Sequence, residues 1–311
     1  MASTPTPRTE LTGATVVVTG ASSGLGRGVS LALAASGANV VLAARRSGLI
    51  EDLAAQIIEA GGNSLAVTTD VSRGEEVARL GAAAAERFGQ LDVWINNVGV
   101  GALGFFWDIP AEDHARIVDV NLKGLILGAH EARGRFRAQG FGTLVNIGSI
   151  DSEVPLAYQA SYAATKAGIL SIGRSLNEEL RLAGFEGIHV CTVMPWAVDT
   201  PWWIHAANYT GHTPRMAAMD DPALVIDAIV RACVEPEEEI PVGAKARVSN
   251  ASHQWFPELT ERLSARLAER EIAKAAPLPH TSGAIHAPMS EGAGINGGIR
   301  DRMAREDAQR H

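Results

Sequence analysis

"TVVVTGASSGLGRG", Thr15 to Gly28, joins a short β-branched run to a glycine turn and then to an Ala/Leu-rich helical period. Gly20, Gly24 and Gly26 follow a G-x-x-x-G-x-G spacing where the first strand hands the chain to the first helix. Glycine lets the backbone turn tightly there. It also lets a pyrophosphate approach the helix N-terminus, where free N–H groups and the helix dipole favour an anion. The better-known G-x-G-x-x-G spacing solves the same problem. The stretch predicts a nucleotide-binding α/β sheet, with Gly20, Ser22, Ser23, Gly24, Leu25 and Gly26 around the phosphates.

Working outward, the same alternation continues to about Val242. The runs at 39–44, 64–69, 91–96, 142–147, 188–193 and 239–242 are nearly continuous apolar stretches. Such runs suit strands covered on both faces. Between them, 24–36, 48–60, 75–88, 111–139, 158–183 and 222–234 carry helical periods. Strand–helix alternation with right-handed crossovers gives a parallel, doubly wound α/β sheet with helices on both faces. After Val248 the character changes. One amphipathic helix, with Leu259, Leu263 and Leu267 at a four-residue spacing, precedes a Gly/Pro/Ala-rich tail. The expected division is a catalytic domain over 1–248 and an extended arm over 249–311. The arm reads as a subunit clamp, because its Leu stripe is thin and its charges balance, unlike a membrane-surface helix.

A net charge of −8 argues against nucleic acid as a partner. No apolar run is long enough to span a bilayer, and the polar, Pro-rich start lacks a secretory signal. The two cysteines, Cys191 and Cys233, lie in apolar runs and read as core residues of a reducing, cytoplasmic compartment. Nine scattered histidines form no ligand pattern, so no metal is expected.

The second strand ends "LAARRS" and offers no acid for ribose hydroxyls. Arg45 and Arg46 suit a 2′-phosphate instead, with Arg27 as a further contributor, so NADP(H) is favoured over NAD(H). Farther along, "SYAATKAGIL" places Tyr162 and Lys166 at i and i+4 on one helix face. A neighbouring ammonium lowers a phenol's pKa and makes Tyr162 a usable proton donor and acceptor. Ser149, at the exit of "TLVNIGS", faces the crevice where such sheets bind ligands.

With these motifs the chain resembles the short-chain dehydrogenase/reductase family over about Thr12 to Val242. The resemblance implies a Rossmann-like sheet of about seven strands in the order 3-2-1-4-5-6-7. It also implies a catalytic tetrad of Asn121, Ser149, Tyr162 and Lys166, with Lys166 additionally holding the nicotinamide ribose. Asp70 and Val71 match the family's adenine contact. "NNVG", with Asn97, matches its Asn-Asn-Ala-Gly element, with Val98 in place of Ala. "PWAVDT" matches the element flanking the nicotinamide through Pro195, Val198 and Thr200, with Trp196 in place of Gly. Tyr162 and Lys166 thus belong to both the catalytic and the cofactor set.

The expected activity is hydride transfer between NADP(H) and the carbonyl or alcohol carbon of an apolar small molecule, in a homodimer or homotetramer. The alternatives are a catalytically silent NADP(H)-binding redox sensor and an NAD-dependent alcohol dehydrogenase. A nucleotide-sugar epimerase is disfavoured by the glycine spacing. Trp196, Trp202 and Trp203 either line the substrate pocket or pack a loop onto the body. Asp151 and Glu153, close behind Ser149, either touch substrate or are rim charges of the active-site loop, with the rim reading favoured.

Overall fold

The computed structural model describes residues 10–310. Most of the N-terminal stretch read as lacking a secretory signal, 1–9, and His311 lie outside the described residues. The chain runs β1 (Thr15–Thr19), α1 (Gly24–Ala35), β2 (Asn39–Ala44), α2 (Ser47–Glu59), β3 (Asn63–Thr68), α3 (Gly74–Phe88) and β4 (Val93–Asn96). It continues with β5 (Ala102–Leu103), α4 (Ala111–Val118), α5 (Gly124–Gln139), β6 (Gly142–Ile147), α6 (Ala160–Leu182) and β7 (Ile188–Pro195). It ends with α7 (Trp202–His205), β8 (Ala207–Asn208), α8 (Pro222–Ala232), β9 (Glu239–Val242), α9 (Gly243–Trp255), α10 (Pro257–Ala273) and α11 (Ile299–Ala308).

Seven strands form one parallel sheet in the order β3-β2-β1-β4-β6-β7-β9. This is the expected order once the two-residue strands β5 and β8, which pair separately, are set aside. Strand side chains alternate between faces. Val16 and Val18 therefore pack with Val40, Leu42 and residues of α1, α2 and α8, whereas Val17 and Val41 pack with Trp94 and residues of α3 and α5. Both faces are sealed, and each fully buried branched side chain contributes about 1.5–3 kcal/mol.

Two expected helices differ from the reading. The period over 111–139 is interrupted by one π turn, Asp119–Lys123, which carries Asn121. Such widened turns recur at functional sites. The helix expected from 158 begins at Ala160, because Tyr158 sits at φ 69°, outside the helical region.

The C-terminal part differs most. The expected boundary at 248 falls inside α9, and three helices, not one, occupy or enter 249–311. On α10 the Leu stripe faces outward, with Leu259 56% and Leu263 55% exposed, while Thr260, Ala268 and Glu271 face in. The inward face is chosen by a buried ion cluster. Arg215, 1% exposed at its side chain, meets Glu271 at 3.4 Å, Glu306 at 2.5 Å and Asp307 at 2.8 Å, tying α10 and α11 to the body. Between those helices, 276–298 runs back across the molecule as an irregular segment. No helix among the described residues is long and apolar enough to cross a membrane.

Candidate active site

A cavity of about 270 Å³ opens at the C-terminal ends of the central strands. One end is the glycine turn. Gly20 holds φ +72°, and a Cβ on Gly26 would lie 2.2 Å from the carbonyl oxygen of Gly20, so only glycine fits there. Ser22, Ser23, Gly24 and Leu25 line this end. Asn97 clamps the turn to β4: its Nδ2 donates to Thr19 O at 2.9 Å and its amide to Thr19 Oγ1 at 3.0 Å.

The two arginines diverge. Arg46 donates from Nε and Nη2 to Ser22 Oγ (3.1 and 3.0 Å) and from Nη2 to Ser23 Oγ at 2.6 Å. It therefore stands in the glycine turn itself. Arg45 instead spends its guanidinium on backbone oxygens of the tail, Ala284 at 2.7 Å and His286 at 2.9 Å. Arg27 does not join them; it donates to Gln56 on α2 at 2.9 Å. Asp70 lines the cavity, and its carboxylate accepts from Ser72 and from Arg116 at 2.8 Å, which hold it below the usual carboxylate range against the opposing effect of burial. Val71 is buried beside it.

At the other end, β6 delivers Ser149 two residues past its last position. The Ser149 hydroxyl caps a short turn by accepting from the Asp151 amide at 3.1 Å, and it lines the cavity together with Tyr162. Helix α6 carries Tyr162 and Lys166 on one face, and the ammonium lies 5.4 Å from the phenol ring centre. Lys166 Nζ donates to Ile147 O at 2.6 Å. Asn121, on the π turn, donates to Val100 O at 2.9 Å and to Thr165 Oγ1 at 3.1 Å, while its own oxygen accepts from the Val100 amide. It thus ties the loop after β4 to α6 one residue before Lys166.

The electrostatics turn on Asp151, for which the favoured rim reading does not hold. Asp151 is no rim charge: it is 8% exposed and lines the cavity. Burial pushes its carboxyl up to about 7 despite the attraction of Lys166. Burial pulls Lys166 down to about 8, with Asp151 opposing. Burial, then Asp151, raise the Tyr162 phenol above its ordinary value, and Ser149 partly offsets them. The phenol is thus raised, not lowered as expected from the neighbouring Lys166. Glu153 does lie outside, paired with Arg174 at 2.5 Å.

Pro195, Val198 and Thr200 line the cavity at the end of β7, and so do all three tryptophans. Trp202 lies 5.1 Å from the Tyr162 ring, centre to centre, and its indole N–H is buried without an acceptor among the described residues. Trp203 donates to Val198 O at 3.0 Å, which fixes the loop. Trp196 packs against Ile150, Val154 and Ala246. Lining and packing are therefore both true of these rings. Missed altogether were Gln159, Met216, Ser264 and the tail residues Ala284, Pro288 and Met289. Only Asp151 had a local signal, two residues after Ser149; the others reach the cleft through tertiary contacts.

Residues 14–208 match the short chain dehydrogenase family model. The chain is 36% identical over 211 residues to the 3beta-hydroxysteroid dehydrogenase 1 of Eggerthella lenta, covering 67% of this chain and 78% of that protein. A metagenomic short-chain oxidoreductase in complex with NADP superposes with a TM-score of 0.63 at 26% identity, covering 75% and 97% of the two chains. The 3-ketoacyl-(acyl-carrier-protein) reductase of Brucella melitensis, complexed with NADH, gives 0.66 at 26% identity, covering 76% and 100%.

Proposed function

The chain belongs to the short-chain dehydrogenase family, and from that premise we propose that it is an NADP(H)-dependent oxidoreductase interconverting an apolar ketone and its secondary alcohol. One observation carries this reading. Tyr162, Ser149 and Lys166 converge at one end of a single cleft whose other end is a glycine cradle. The cradle fits a nicotinamide dinucleotide: a Cβ at Gly20 would strike Asn97 and one at Gly26 the Gly20 carbonyl, so glycine keeps the turn tight enough for a pyrophosphate to approach the α1 N-terminus. Bound there, the nicotinamide supplies or accepts the hydride.

The chain's own residues do the rest. Ser149 holds the substrate oxygen, and Tyr162, lining the same end of the cleft, sets its phenol on that oxygen. Tyr162 gives its proton to the oxygen in reduction and takes it in oxidation. Lys166, fixed by Ile147, holds positive charge beside the phenol and would hold the nicotinamide ribose of a bound cofactor. Asn121 positions Lys166 through Thr165. The three tryptophans and Met216 keep the substrate end largely apolar. Similarity to a hydroxysteroid dehydrogenase supports an apolar alcohol. Asp151, which lines the same cavity, offers an acceptor to a substrate that carries a hydroxyl or amino donor.

Arg46, set among Ser22 and Ser23, is the residue that supports NADP(H). Exposed Val118 and Ile126 on the α4–α5 side support a homo-oligomer, and the free, buried Cys191 and Cys233 support a cytoplasmic setting. The test is a panel of ketones and alcohols assayed with each nicotinamide cofactor. Turnover at least ten-fold more efficient with NADPH than with NADH is expected. Binding without turnover on any substrate would favour the redox-sensor alternative.

A further inference from the structure

The tail between α10 and α11 is fastened at both ends and crosses the nucleotide end of the cleft in between. At the first fastening, Thr281 exchanges backbone hydrogen bonds with Asn208 (2.7 and 3.0 Å), and the Ala284 amide donates to His205 O at 2.7 Å. Gly283 is required there, since a Cβ would lie 2.3 Å from His205 O. Ile285 is fully buried against Ala102, Ile109, Ile117 and Ala207, and the His286 ring meets Asp113 at 2.7 Å. At the second fastening, Asp199 caps α11: its carboxylate accepts from the Ile299 amide at 2.8 Å. The Arg215 cluster then locks that helix to the body.

The middle of the segment is held differently, by the groups the nucleotide reading assigns to phosphate. Arg45 donates to Ala284 O and His286 O, and Arg46 donates to Met289 O and Glu291 O, both at 3.3 Å. The Gly24 amide, at the N-terminus of α1, donates to Gly294 O at 2.9 Å. Ala284, Pro288 and Met289 line the same cavity as the glycine turn. The tail is therefore a wall of this site, and it is attached by neutral acceptors to three cationic or dipolar donors. A phosphate monoester is a stronger acceptor for a guanidinium than a backbone carbonyl.

We propose that residues 284–297 are a strap forming the outer wall of the nucleotide site, and that a nicotinamide nucleotide enters and leaves only when the middle of the strap lets go of Arg45, Arg46 and Gly24. The proposal rests on the nucleotide reading above. On binding, the 2′-phosphate takes donors of Arg46 from Met289 and Glu291, while the Ile285 plug and the α11 anchor keep the strap in place over the cofactor. Nucleotide exchange is then slow, and its rate is set by the strap rather than by the glycine turn.

Hydrogen exchange on the full-length protein, with and without saturating NADPH, tests the first part. Residues 20–26 and 284–294 should both become protected. Protection of 20–26 with the strap unchanged would overturn the strap as a wall of the site. No protection at 20–26 would reject the nucleotide reading itself. Stopped-flow NADPH fluorescence on Ile285→Ala tests the gate, because this plug sits in a separate apolar cluster and does not line the cavity. Association and dissociation should each accelerate about ten-fold or more. A variant whose strap exchanges faster than the parent's, but whose nucleotide rates stay within two-fold, would overturn the gate. Should Ile285→Ala leave the strap's exchange unaltered, Gly283→Val applies the same criterion from a second contact.

Discussion

Lys166 Nζ donates to the carbonyl oxygen of Ile147 at 2.6 Å, which joins the middle of α6 to the end of β6. The bond places the ammonium between the strand that delivers Ser149 and the helix that carries Tyr162. It also explains how a nearly fully buried lysine is tolerated, since a buried ammonium needs an acceptor. Lys166→Ala should therefore lose most turnover and also weaken NADPH binding. Fluorescence titration and steady-state assays on one preparation check both; loss of turnover with intact binding would confine the residue to proton chemistry.

The same lysine sets a pH dependence. Burial brings it down to about 8, so the ammonium form is present below that pH and is lost above it. NADPH affinity should be steady up to about pH 7, fall through the region around pH 8 and be weakest by pH 9.5. Titrations across this range should show the trend in the parent and not in Lys166→Ala.

Tyr162→Phe removes only the phenolic oxygen. NADPH affinity should stay within a few-fold, while kcat for ketone reduction should fall about 10²–10⁴-fold, the usual worth of a positioned acid. A near-normal kcat on any ketone the parent reduces would reject the acid–base assignment.

Asp151 makes a stability prediction. Its carboxyl is raised from 3.8 to about 7, so the folded chain keeps a proton that the unfolded chain has already lost. Stability falls as pH rises through that window, and the penalty is complete above about 7. Asp151→Asn should be more stable than the parent at pH 8, on the order of 2–4 kcal/mol, and indistinguishable near pH 4. Thermal melts at the two pH values check this.

Arg46→Ala should weaken NADPH binding about ten- to a hundred-fold, the range for a lost charge-assisted hydrogen bond, and leave NADH within a few-fold. Equal losses for both nucleotides would assign Arg46 to the strap rather than to the phosphate.

Trp196→Gly restores the small residue of the family element. The indole lines the cleft and packs on Ile150 and Val154, so the variant should admit bulkier ketones or alter the product enantiomer ratio, at some expense in thermal stability. Unchanged range and ratio with lowered stability would make the ring core packing alone.

Much of this protein is local, and local features are legible in one sequence. A strand covered on both faces must be apolar along its length, so β1, β2 and β6 announce themselves with their boundaries. A turn in which a Cβ would strike Gly20 O must carry glycine at 26, and two residues four apart on a helix must share a face. The sheet, its order, the glycine cradle and the pairing of Tyr162 with Lys166 therefore follow from the residues and the resemblance they carry. What the tertiary structure decided depends on partners far apart in the chain. Arg45 and Arg46 are identical neighbours in sequence, yet Arg45 bonds only the tail whereas Arg46 bonds both the tail and the serines of the glycine turn, because Ser22 and Ser23 lie within reach of Arg46 alone. Asp151 reads as a rim charge until α6 closes over it. The Leu stripe of α10 faces solvent because Arg215, 56 residues away from Glu271, holds the opposite face inward. A Gly- and Pro-rich tail has no periodicity from which a position can be read, and only the contacts of Ile285, Asp199 and Gly24 put it across the nucleotide site.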